Sequence, residues 1–135
     1  MSSPAPPCPC GRPGNAADCC AAYVSGKRPA PDPESLMRSR YTAFALGTNE
    51  AIAYLVDTHR SEHRASDLRE GLRASIASVD AWEQLEVRSA EVDGDRGTVE
   101  FVATYRVAGE RMQLHERSQF VREDGRWFYT EGVVS

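Results

Sequence analysis

Apolar positions along the first half of the chain recur every three or four residues, and beyond about residue 80 they recur every second one. The first pattern predicts helices. Leu36, Met37, Tyr41, Ala43 and Phe44 share one broad face of a helix over 33–46, with Asp32 as its N-cap, Pro33 and Glu34 in its first turn and Gly47 as its stop. A second helix is expected over 49–57. A third is expected over 67–78, its stripe made by Leu68, Leu72, Ile76 and Val79. The second pattern predicts strands over 85–92, 98–107, 111–122 and 126–134, separated by short turns that carry Gly94, Gly97, Gly109 and Gly125. Turns this short imply hairpins. The expected fold is therefore α+β: three helices packed into the concave side of a curved, cone-like four-stranded antiparallel meander.

Two charged residues break these patterns. At 100° per residue Arg38 and Thr42 lie opposite the apolar face, whereas Arg40 falls inside it, between Leu36 and Phe44. In the third strand Met112, Leu114 and Phe120 alternate with Gln113, His115, Arg117 and Gln119, and Glu116 and Ser118 share the apolar parity. Helix and sheet thus each aim one charge inward, and Arg40 and Glu116 are expected to converge within ion-pair distance. Two readings stay open. One is a buried ion pair that fixes packing. The other is the polar floor of a ligand pocket, with Tyr41, Tyr105, Ser118 and Trp127 around it.

Composition narrows the classes. The chain has 135 residues, 41% hydrophobic and 27% charged, which suits one main domain around a single core. No apolar run is long enough for a membrane span. A formal charge of −4 disfavours general affinity for nucleic acid. No basic segment followed by an apolar run opens the chain, so a cytoplasmic location is expected.

All four cysteines, Cys8, Cys10, Cys19 and Cys20, lie in the first twenty residues with the spacing C-x-C-x8-C-C. Disulfides between Cys8 and Cys10 or between Cys19 and Cys20 would strain the backbone. Pairing across the two halves is geometrically open but suits an oxidising compartment. The favoured reading is a structural metal held by all four thiolates, with residues 16–23 forming a short helix that presents Cys19 and Cys20. Zinc is the expected ion, and iron also occupies tetrahedral thiolate sites. Four thiolates around a divalent ion carry a net charge of about −2, which Arg12, Lys27 and Arg28 are placed to offset. Such a closed shell leaves no open position for catalysis. The domain plan is a flexible tail over 1–7, the knuckle over 8–27, an extended proline-rich linker over 28–33 and the α+β domain over 34–135. Few contacts are expected to cross the linker, so chelation should unfold the knuckle alone.

Other motifs are weaker. His59-Arg60-Ser61-Glu62-His63 spells H-x-x-E-H, but it falls in a predicted loop of a chain small for a zinc peptidase, and a solvated loop is the better reading. His115 lies on the outer parity of its strand. Trp82, Trp127, Phe128 and Tyr129 read as core and pocket wall. No serine elbow, phosphate-binding glycine loop or dinucleotide fingerprint is present, and no catalytic residue is assigned.

The stretch from Cys8 to Cys20 resembles the SEC-C motif, named from the C-terminus of the translocase SecA. The stretches Leu36-Met37-Arg38-Ser39-Arg40-Tyr41-Thr42-Ala43-Phe44 and Leu114-His115-Glu116-Arg117-Ser118-Gln119-Phe120, together with Gly125-Arg126-Trp127, resemble the YchJ-type family of small bacterial proteins. The resemblance implies a metal knuckle followed by a cone like that of nuclear transport factor 2, with no biochemical role attached. From the SEC-C likeness the leading expectation is a cytoplasmic zinc-binding interaction module whose knuckle docks a protein partner. The alternative is a small-molecule binder or enzyme using the cone.

Overall fold

The computed structural model describes residues 8–12 and 19–134. The expected tail over 1–7, and Pro13, Gly14 and Ala16 of the knuckle, lie outside the described residues. In chain order the elements are α1 (Cys20–Val24), α2 (Pro33–Leu46), α3 (Asn49–Asp57), a single 3-10 turn (Ser61–His63), α4 (Leu68–Ser78), β1 (Ala81–Asp93), β2 (Arg96–Val107), β3 (Glu110–Glu123) and β4 (Arg126–Val134).

Local chemistry sets the helix ends where the sequence places them. The Asp32 carboxylate accepts from the Ser35 amide at 2.7 Å, and Thr48 Oγ1 accepts from the Ala51 amide at 3.1 Å. Gly47 ends α2 at φ 64°, its amide donating to the Ala43 carbonyl at 3.0 Å.

The four strands form one antiparallel sheet in the order β1-β2-β3-β4. Asp124 and Gly125 both take positive φ, at 52° and 78°, the hairpin turn whose twist matches that of the strands it joins. β1 begins at Ala81, four residues before the expected start. Register shifts between Trp82 and Gln84 and between Val87 and Ser89 set two residues against one, which breaks the alternation that marks a strand in sequence.

The expected polar side of α2 is a second buried face. Leu36, Met37 and Tyr41 join Val99, Phe101, Ala103 and Phe120 of the sheet in the core. On the other side Ser39 Oγ donates to the Leu36 carbonyl at 2.8 Å and lies 2.6 Å from the Tyr54 hydroxyl of α3, and buried Thr42 lies against Cys8.

The knuckle is not set apart from the cone. Cys8, Cys10 and Cys20 belong to the same apolar cluster as Leu36 and Val99. Residues 28–33 are not a free spacer either: Ala30 is buried, and Pro33 is already the first residue of α2, packed against Gly97, where a Cβ would collide with its ring. The physical reason is that α2 carries two faces to cover and the sheet covers only one. α4, in contrast, packs on α3 and stands off the sheet.

Candidate metal centre and cavity

The four sulfurs of Cys8, Cys10, Cys19 and Cys20 all lie within 4.8 Å of one another, on free thiols. Cys10 Sγ is 3.6 Å from Cys19 Sγ, which is 3.9 Å from Cys20 Sγ. Four sulfurs about 2.3 Å from a zinc ion stand about 3.8 Å apart along the edges of a tetrahedron, so donor set and spacing both fit a tetrahedral metal. Three features position the ligands. The Gly11 amide closes a turn onto the Cys8 carbonyl at 3.2 Å, with Gly11 at φ 87°. α1 presents Cys20 from its first turn. Arg38 of α2 donates to the Cys10 carbonyl at 2.7 Å.

Hydrogen bonding by Cys20 holds the Cys10 thiol below its ordinary range, the same contact pushes Cys20 up, and burial pushes Cys19 up. Arg12, expected to offset thiolate charge, acts on Cys10 by charge and also bonds Ser35 at 2.9 Å and Glu34 at 3.2 Å, which pins the knuckle to α2. Arg28 lies over the Tyr23 ring at 5.4 Å.

Between the sheet, α2 and α4 lies a cavity of about 530 Å³. Arg40, Tyr41, Tyr105, Glu116 and Ser118 all line it. Trp127 does not: it stands opposite Arg122 near the turn end of β4, two residues beyond Tyr129, where it lines a separate cleft with Tyr23 and Tyr54. Met112, expected on the inner face, is exposed. Trp82 lies within 5.8 Å, ring to ring, of Tyr41, Phe44 and Tyr105, and these four make one aromatic wall.

Arg40 and Glu116 both point inward, as the periodicity predicts, but they form no ion pair with each other. Arg40 Nη1 donates to the Leu55 carbonyl at 2.8 Å and to Thr58 Oγ1 at 2.7 Å, capping the C-terminal end of α3, where backbone carbonyls lack partners and a cation is favoured. Its guanidinium lies 4.6 Å from the centre of the Tyr129 ring. Burial lowers it only to about 10, so it stays charged at neutral pH. Glu116 accepts from Ser118 Oγ, and its carboxylate occupies the place where a Cβ on Gly132 would be.

One wall residue, His59, is not legible in the sequence reading, whereas Tyr129 is expected there as core or pocket wall and is found in the wall. His59 lines the cavity edge-on to Tyr129, with ring centres 5.1 Å apart, because residues 58–60 bond to β4. Tyr129 forms the floor beneath Arg40, and burial raises it to about 12. His59 therefore does not belong to a solvated loop. His115 is on the outer face as expected, 2.7 Å from Glu100.

A helix-backed antiparallel cone with a four-thiol cluster at its N-terminal end defines a domain of the nuclear-transport-factor-2-like class with a candidate metal centre. The chain belongs to the YchJ family: residues 32–132 match the family model described as the YchJ middle NTF2-like domain. A UPF0225 protein of Methylibium petroleiphilum is 45% identical over 132 residues, spanning 95% of this chain and 88% of that one. The solution structure of a SEC-C motif containing protein from Rhodopseudomonas palustris superposes with a TM-score of 0.85 at 40% identity, covering 95% of this chain and 98% of that one. A SEC-C motif containing protein from Psychrobacter arcticus gives a TM-score of 0.76 at 26% identity, covering 95% and 82%. The SEC-C likeness and the four clustered cysteines together suggest metal binding. No helix among the described residues is long and apolar enough to cross a membrane.

Proposed function

We propose that this chain is a small-molecule-binding protein whose cone holds the ligand and whose knuckle holds a structural zinc ion, in a reducing compartment such as the cytoplasm. The observation that carries the reading is Arg40. Its side chain is buried, its two hydrogen bonds among the described residues leave from Nη1, and it lines a cavity of about 530 Å³. That volume lies within the roughly 300–1,000 Å³ of small-molecule sites. Zinc is preferred to iron because four thiolates make a closed, redox-silent shell for it. Docking of a protein partner through the knuckle is the weaker proposal, since three of its four cysteines are buried and only Cys19 reaches the surface in part.

The test is binding of naphthalene, a neutral probe that needs only an apolar space, followed by ligand-observed NMR. The wild-type chain should bind it. A Ser75→Trp variant, which fills the mouth of the cavity from the exposed side of α4, should stay folded and lose binding. Absence of binding by the wild type, or equal binding by the variant, would overturn the cavity reading. Elemental analysis of protein purified without added metal should find about one zinc per chain, as four ligands require.

A further inference from the structure

The floor of the cavity carries two opposite charges that are held apart. Arg40 spends Nη1 on Leu55 and Thr58, and its Nε and Nη2 have no acceptor among the described residues. Glu116 receives Ser118 on Oε2, and its Oε1 has no donor among them. Each group has contacts of its own. The end of α3 and the ring of Tyr129 anchor the guanidinium, and the space over Gly132 seats the carboxylate. Glu116 reaches Arg40 across the floor by charge alone. A donor and an acceptor that face the cavity without a protein partner are available to a ligand that matches both.

Each simple charged head satisfies one side and offends the other. A carboxylate would suit Arg40 but bring a second negative charge against Glu116. An ammonium would suit Glu116 but meet the guanidinium. A head with an acceptor and a donor on neighbouring atoms satisfies both, and being neutral it sheds less hydration on entry. The planar amide has this arrangement. Above the floor the wall of Trp82, Tyr41, Phe44 and Tyr105 offers ring faces and edges to a flat apolar body.

We propose that the cavity selects a flat apolar molecule with a neutral amide-type head, its carbonyl oxygen accepting from Arg40 and its N–H donating to Glu116. This rests on the cavity being a ligand site, and the two ideas fail differently.

The experiment titrates the full-length, metal-loaded chain with naphthalene, 2-naphthamide and 2-naphthoate by calorimetry, for the wild type and for Glu116→Gln. The wild type should bind 2-naphthamide about tenfold more tightly than either other probe, the gain expected of one charge-assisted hydrogen bond. In Glu116→Gln the side-chain amide still accepts from the ligand N–H while the repulsion is gone. The preference for naphthamide over naphthoate should then fall about tenfold. Equal binding of naphthamide and naphthoate by the wild type, or a preference that Glu116→Gln leaves unchanged, would overturn the head-group assignment while naphthalene binding still stood. Failure of all three probes would overturn the cavity reading itself.

Discussion

At the scale of single residues, Glu34 does more than its place in a first helical turn requires. It accepts from Arg38 at 2.9 Å and from Arg12 at 3.2 Å, so one carboxylate joins α2 to the knuckle. Burial opposes its ionisation, yet the two arginines hold it below its ordinary 4.5. Its contribution to stability is therefore complete above pH 4.5 and lost as the pH falls through the lowered folded-state value. Urea unfolding should show Glu34→Gln less stable than the wild type by about 0.5–1 kcal/mol at pH 7, the worth of a partly exposed pair. The gap should close toward pH 3; a gap that does not change with pH would assign the loss to packing instead. Arg40 teaches a different lesson. Its inward direction was legible, because the helical period fixes direction. Its partners were not, because the Leu55 carbonyl leaves no trace in side-chain identities and the Thr58 hydroxyl just past α3 belongs to no periodic pattern.

At the scale of elements, α2 is the hinge of the architecture, sheathed by the sheet on one face and by the knuckle and α3 on the other. Sequence patterning caught its ends and its sheet-facing side, since caps and apolar stripes are local signals. It missed the second buried face because Ser35, Ser39 and Thr42 are small polar residues that satisfy themselves locally or across a short gap. The same cause hid the union of knuckle and cone. Stripping the metal with a strong chelator is therefore expected to lower the melting temperature of the whole chain in a single calorimetric transition. Each kcal/mol lost should shift it by about 4 °C for a domain of this size. Loss of the knuckle with the melting of the sheet unchanged would restore the two-module picture.

At the scale of the whole molecule, the cavity exists because α4 rests on α3 and leaves the sheet uncovered beneath it. Strand parity made Glu116 and Ser118 legible as its lining, whereas Trp127 lies too near the β3–β4 turn to reach it, a distance along the strand that parity does not give. The segment with the peptidase-like spelling has another use. The Tyr129 amide donates to the Thr58 carbonyl at 2.7 Å, and the Arg60 amide donates to the Tyr129 carbonyl at 2.8 Å, on the outer side of the last strand. Arg60 sits at φ −57°, a value proline accepts without strain, so Arg60→Pro deletes one of these bonds and little else of the backbone. Light scattering on mild heating should show Arg60→Pro clumping faster than Arg60→Ala, which loses the same side chain but keeps the amide. Equal rates would mean that these two bonds protect nothing. An open outer strand offers a row of unpaired amides and carbonyls to any extended chain that drifts past. By seating its own loop there, the protein denies aggregation a template at the middle of that strand.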